Sequence, residues 1–399
     1  MVSWKFLKIF LKTTAICLFF LFLFMISNYY PDEQSNNGGR RTVIVSRTIY
    51  VDDSNTGPWF EGTLEDPFCT IQDAFDEADD GDTIFVFNGV YECGLDNEIF
   101  ITKTVDLFGE SRDETVIVDN SQNNSPLVYL DAPNIMFENF SLCSFFDTVP
   151  PIGQTGVFVG GDNVIIKNCF FNTSKIGIYL GCIASGCVVS DCVFRDSDDE
   201  GIALFGDFNI IKDCIFYDTG DGIESGYGCS NNTITYCEFY DCSHSGMTFI
   251  SGSNNNIVSN CSVISCISDG IQMANSYQNR IYDSEITNNI WNGVSMKNCS
   301  KNQVYRCDIS NNDCQAIWIY EDSSDNIIYH NNIIRNQGLK QVYDEGINQW
   351  DNGEEGNYWS DYTDRYPNAN SVDGVWDIPY TIAKGDNMDR YPLVNRVNI

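Results

Sequence analysis

Ile166-Lys167-Asn168-Cys169-Phe170-Phe171, followed after a polar gap by Gly177-Ile178-Tyr179-Leu180, is one copy of a unit that returns along the second half of the chain. The next copy reads Val189…Cys192…Phe194, then Gly201-Ile202-Ala203-Leu204. Later copies place the glycine at Gly222, Gly246, Gly270 and Gly293, with Ala316 in the last. The steps between these positions are 24, 21, 24, 24, 23 and 23 residues. A fixed period in that range marks a solenoid, whose units bury their apolar faces only against their neighbours. Each unit is β-branched and aromatic, its apolar residues alternate, and Asn, Asp, Gly and Ser fill the gaps. That pattern is strand–turn–strand rather than a helix pair. It predicts an all-β fold, a right-handed parallel β-helix whose rungs stack about 4.8 Å apart.

Stacking turns the repeats into columns. Cys169, Cys192, Cys214, Cys237 and Cys261 fall in consecutive rungs, continued by Ser284 and Cys307. Side chains in one column point the same way, which is a poor geometry for disulfides. The column therefore reads as small buried filler despite 17 cysteines in the chain. Asn209, Asn232, Asn256, Asn279, Asn302 and Asn326 form a second column, an expected amide ladder at a turn. The repeat glycines mark a bend that needs either a positive φ or close packing.

The ends differ from the middle. Lys5, Lys8 and Lys12 precede an uncharged stretch from Thr13 to Tyr30, so residues 1–30 read as a signal anchor or signal peptide and 31–46 as a linker. The basic end is expected inside and the rest exported, at the cell surface or in a periplasm-like space. Residues 47–110 read as the N-terminal cap and first rungs, 111–336 as the repeats, and 337–399 as an irregular C-terminal cap. Within the first cap, Ile71, Ala74, Phe75 and Ala78 share one face of a short amphipathic helix suited to covering the end of the core. The chain carries 56 Asp+Glu against 22 Lys+Arg, a net charge of −34. That sign excludes a nucleic-acid groove.

Ile49-Tyr50-Val51-Asp52-Asp53, Pro67-Phe68-Cys69-Thr70-Ile71-Gln72 and Gly81-Asp82-Thr83-Ile84 occur in an order that resembles the opening of the pectate-lyase superfold of right-handed β-helices. With Gly356-Asn357-Tyr358-Trp359 and Asp389-Arg390-Tyr391-Pro392 near the end, the chain is most similar to the NosD-like surface and periplasmic group. The resemblance spans about residues 47–395 and speaks for fold, since this superfold hosts lyases, hydrolases, epimerases and non-catalytic surface proteins. It implies an accessory role in metal maturation as one reading, for which two His and seven Met offer little. Relatives carry an Asp/Gly-rich loop suited to calcium. Here Asp361, Asp364, Asp373 and Asp377 are what corresponds, a candidate calcium set or a structural turn. No other cofactor is called for.

The residue before each repeat glycine is polar: Glu200, Asp221, Ser245, Asp269, Asn292 and Gln315. Glu200 and Asp221 fall in adjacent rungs, with Glu224 just beyond and His244 in the next rung. Paired carboxyls beside a histidine suit acid–base work on sugars, which makes Glu200, Asp221 and His244 the candidate catalytic residues. The order of acids, His244 and Arg280 loosely resembles the polygalacturonases, but their Asn-Thr-Asp, Gly-His-Gly and Arg-Ile-Lys motifs are missing. Tyr282, Tyr305 and Tyr329 repeat at one outward position, and with Trp318 they form a candidate glycan-binding surface. The sequence thus favours a membrane-anchored surface scaffold or glycan-binding protein. A polysaccharide-cleaving or -modifying enzyme is the alternative.

Overall fold

Each rung is built from three short strands. In one rung these are Ile165–Lys167, Phe170–Asn172 and Ile176–Leu180. Their successors pair with them in parallel, and the computed structural model gathers them into three sheets of 13, 12 and 11 strands. It describes residues 46–57, 60–93, 99–119, 125–144, 155–173, 175–226, 228–338 and 340–399. The expected anchor at 1–30 and nearly all of the linker at 31–46 lie outside the described residues. Among the described residues no helix is long and apolar enough to cross a membrane.

The columns read from the sequence are the register of the sheets. Ile166 pairs with Val189, Phe171 with Phe194 and Ile178 with Ile202, all inward and all buried. Phe171, Phe194, Phe216 and Phe239 stack face to face at 4.8, 4.7 and 4.6 Å between centroids. These rings explain the repeat glycines. A Cβ at Gly222 would lie 2.3 Å from Phe239, and one at Gly201 would lie 2.6 Å from Phe216. None of the repeat glycines has a positive φ, so close packing is the reason for them. The left-handed turns fall to Asn and Asp instead, as at Asp191, Asp196, Asp213 and Asp218.

The asparagine ladder forms as expected. Each backbone N–H in the column donates to the side-chain oxygen one rung on, from Asn209 to Asn232, Asn256, Asn279, Asn302 and Asn326, at 2.8–2.9 Å. A second ladder escaped the sequence reading: Cys266 N–H donates to Asn289, Asn289 to Asn312 and Asn312 to Asn336. The column cysteines Cys169, Cys192, Cys214, Cys237 and Cys261 are buried and unbridged. Cys192 and Cys214 each point the thiol at the carbonyl two residues back, at 3.2 Å. Burial is the first cause raising the pKa of Cys192 and Cys214 and keeps them protonated.

Both ends are covered. Helix Ile71–Glu77 is capped by the Thr70 hydroxyl, which accepts from Asp73 N–H, and buries Ile71, Ala74 and Phe75. At the far end Trp350, Trp359, Tyr362 and Tyr380 are fully buried, with Trp359 and Tyr380 stacked at 3.8 Å. Two small hairpins, Ser371–Val372 with Val375–Trp376 and Tyr380–Thr381 with Met388–Asp389, complete this cap.

Candidate active site

In Gly201-Ile202-Ala203-Leu204 the pleat sends Ile202 and Leu204 inward and Ala203 outward. Register then sets one outward column on the 11-stranded sheet: Tyr179, Ala203, Glu224, Thr248, Gln272, Ser295 and Trp318. Its N-terminal side is aromatic. Phe158 and Tyr179 lie 5.4 Å apart, and Tyr179 and Phe205 lie 5.0 Å apart. Its C-terminal side has Trp318 stacked on Tyr320 at 4.3 Å. Between these rings the column turns small and polar, with Ala203 packed to 2% exposure beside the acids.

Glu200 and Asp221 open adjacent strands and pair directly in register; Ala203 pairs with Glu224. They begin strands rather than sit in a turn. The three carboxyls are held differently. Asp221 Oδ1 accepts from Ser245 N–H and from the Thr248 hydroxyl, both at 3.0 Å, and its Oδ2 lies 3.9 Å from His244 Nδ1. Glu200 and Glu224 accept no hydrogen bond from any described residue. Lys175, the nearest cation acting on Glu200, lies 3.8 Å from Asp199.

Burial raises the Glu200 pKa well above the usual carboxylate range, and the charges of Asp199, Glu224 and Asp221 add to the shift. Burial, with help from Asp221 and Asp199, lifts Glu224 to about 7. Asp221 is also raised by burial, but its hydrogen bonds and His244 pull the other way. Three acids that cannot all ionise together hold a proton at neutral pH. An uncapped carboxylic acid beside a carboxylate is what donating and abstracting protons requires.

The strain has a signature in stability. Glu224 takes up its proton more readily in the folded chain than in the unfolded one, where the ordinary value of 4.5 applies. Its favourable contribution is therefore full below about pH 4.5 and is lost as pH rises through 7. Glu224→Gln is expected to be more stable than the parent at pH 8, by up to about 3 kcal/mol, and to match it near pH 4. Thermal melts at the two pH values check this. A variant that loses stability at pH 8 contradicts it.

The other expected site residues are dispersed. Tyr282, Tyr305 and Tyr329 do stack, at 5.0 and 5.2 Å, but on the 13-stranded sheet, whereas Trp318 is on the 11-stranded one. The four do not make one surface. Arg280 is also on the 13-stranded sheet, away from the acids. Asp361 accepts from Gln341 and Tyr380, and Asp377 from Asn370, while Asp373 sits at a hairpin turn. Asp361 and Asp364 line a cavity with Arg335, Lys340, Arg365 and Arg396, surroundings that disfavour a cation. Among the described residues no group of three or more His, Cys, Asp or Glu is arranged to hold a metal. Glu224 was underweighted in the sequence because it stands off the glycine column. Trp291, 53% exposed, was missed; its N–H donates to Ser268 O, and Ser268 N–H to His244 O, so it lies two rungs along the His244 turn.

Similarity to known proteins fits this architecture. No curated protein is detectably similar in sequence. Among solved structures, the A-module of a mannuronan C-5 epimerase from Azotobacter vinelandii superposes with a TM-score of 0.62 at 15% identity, covering 72% of this chain and 87% of that one. A second epimerase A-module from that organism gives 0.45 at 13% identity, over 70% and 91% of the two chains. An alginate lyase from a Paenibacillus strain gives 0.42 at 15% identity, over 76% and 98%. At these identities the first likeness shows the fold. The NosD-like grouping stays an expectation. The family described as the right handed beta helix region matches residues 110–246 and 184–334, more than half of the chain, and the protein belongs to it.

Proposed function

We propose that this protein binds a polysaccharide along the outer face of the 11-stranded sheet and acts on it by proton transfer at Glu200, Asp221 and Glu224. The observation that carries the reading is the state of the carboxyls. Among the described residues two of the three carboxyls accept no hydrogen bond, all are raised by burial, and they lie along a column with aromatic rings at both ends. From Tyr179 to Trp318 the column takes six rung steps, about 29 Å at the usual strand spacing. That length suits a polymer rather than a small metabolite. Cleavage or epimerisation of a sugar needs an acid that gives a proton and a base that takes one. The raised glutamates supply the first and Asp221, stabilised as a carboxylate by its donors, the second. An exported location, expected from Lys5 to Tyr30, would place the protein where polysaccharides are met.

A binding scaffold without chemistry is the second reading, and one observation favours it. Asp269 repeats the contacts of Asp221 two rungs later, accepting from Asn292 N–H and from the Ser295 hydroxyl. That pattern locks one rung to the next. The test is incubation of the purified protein with a panel of neutral and acidic polysaccharides, reading new chain ends, unsaturated sugars and changed sugar stereochemistry. Turnover of one class is expected. Tight binding with no product from any member would leave the scaffold reading in its place.

A further inference from the structure

At the C-terminal end of the solenoid a cavity of about 560 Å³ is lined by Arg335, Lys340, Arg365 and Arg396. Four cations around one cavity are unexpected in a chain with 22 Lys+Arg against 56 Asp+Glu. Some exposed cations in this chain find carboxylates, as Arg306 does at Asp283 and Arg390 at Asp351. Among the described residues, Arg335, Lys340 and Arg396 have no carboxylate within ion-pair distance. Arg396 lies over the ring of Tyr358 at 5.8 Å, and its charge also acts on half-buried Asp308. Arg365 packs over Tyr380 at 4.2 Å and lies 3.9 Å from Asp361.

The two acids in the lining offset only two of the four positive charges, so the cavity stays net positive. Both oxygens of Asp361 accept from the Tyr380 hydroxyl at 3.1 Å, and one accepts from Gln341 Nε2 at 2.7 Å. Asp364 is exposed at the rim. The backbone adds a second observation. Arg335 has φ +50°, at a position that earlier rungs fill with Asp196, Asp218, Asp241, Ser265, Asn288 and Asn311. Short polar side chains tolerate that conformation best, and a long cation there costs conformational energy that no ion pair returns. Its backbone N–H is tied to Ser360 Oγ at 3.0 Å, which fixes the backbone of Arg335 at the cavity wall.

We propose that this cavity is an oxyanion site, taking the carboxylate, sulfate or phosphate group of a small ligand in a fork of Arg335, Lys340 and Arg396. Guanidinium groups suit planar and tetrahedral oxyanions through paired N–H donors. The protein's net charge of −34 does not forbid it. Charges farther than about 8 Å are largely screened at physiological salt, so the local cations decide. The volume falls in the usual range for small-molecule pockets and holds one or two sugar units as readily as a free ion. This site is separate from the acids at Glu200 and does not depend on their role.

Calorimetric titration of the protein with sulfate, phosphate, glucuronate and glucose tests it. Binding of the anions and none of glucose is expected, weakening as salt rises. A glucuronate affinity above that of sulfate and phosphate would identify a saccharide carboxylate as the ligand; equal affinities would identify a free oxyanion. Lys340→Gln with Arg396→Gln should lower affinity at least tenfold with the melting temperature retained. Asp364→Asn, which removes rim repulsion, should raise it. No anion binding at millimolar concentration, glucose bound as well as glucuronate, or affinity unchanged in the double variant would overturn the proposal.

Discussion

Glu200→Gln is expected to lower turnover by roughly 10²–10⁴-fold, the usual share of a general acid or base, while the protein still folds. The amide keeps the shape of the side chain but can neither hold nor release the proton. Glu200 accepts no hydrogen bond from a described residue, so the substitution removes no structural contact. It also removes a group that burial and three acidic neighbours hold in strain, so the melting temperature should stay level or rise. Asp198→Asn, at an exposed neighbour outside the cluster, should leave turnover unchanged. Loss of activity in step with loss of folding would make Glu200 a structural residue. Unchanged activity in Glu200→Gln would remove it from the chemistry.

Asn279→Ala is expected to cost roughly 2–6 kcal/mol, from two orphaned backbone groups at about 1–3 kcal/mol each. Its side-chain oxygen accepts from Asn256 N–H at 2.9 Å and its amide donates to Ser253 O at 2.9 Å, all in a dry interior. Alanine leaves that N–H and that carbonyl buried without partners. Against a typical net stability of 5–15 kcal/mol this is a large fraction. A surface contact with the same spacing gives the control: Gln337 donates to Asp313 at 3.0 Å in full exposure, and Gln337→Ala should cost under about 0.5 kcal/mol. Urea unfolding midpoints compare the two. Equal, small losses would mean that the ladder is register without energy.

The contrast also shows what the sequence made legible. A solenoid with in-register pairing converts chain spacing directly into contacts, so Cys169 to Cys261 and Asn209 to Asn326 could be placed in columns without coordinates. The glycines were read as bends, yet their cause was across the core. It takes the Phe194, Phe216 and Phe239 rings, one rung away, to see why a methyl group cannot fit. The site was half legible. Glu200 and Asp221 follow from the column beside the glycines, but Glu224 joins them through the strand pleat, which spacing alone does not reveal. That the candidate glycan-binding residues fall on two sheets was not legible, because period says that Tyr282, Tyr305 and Tyr329 stack, not which of three sheets they stack on. Phe205 and Trp291 have no aromatic counterpart in the neighbouring repeats and left no periodic signal, whereas Tyr179 sits in the repeat and pairs with Phe158 and Ala203. Among the described residues the candidate calcium acids are not arranged as a metal-holding group, for a similar reason: the cap folds irregularly, so nearness in sequence does not fix how Asp361 and Asp377 are placed.

The reading of the site rests on a proton being held among Glu200, Asp221 and Glu224 at neutral pH. A carbon-13 NMR titration of the side-chain carboxyls, assigned with Glu200→Gln and Glu224→Gln, measures that proton directly. The account predicts one carboxyl titrating at about 7, assigned to Glu224, and another, Glu200, above the usual range. It also predicts that removing Glu224 lowers the titration point of Glu200. Ordinary titration of all three below pH 5, each indifferent to the loss of its neighbours, would contradict it.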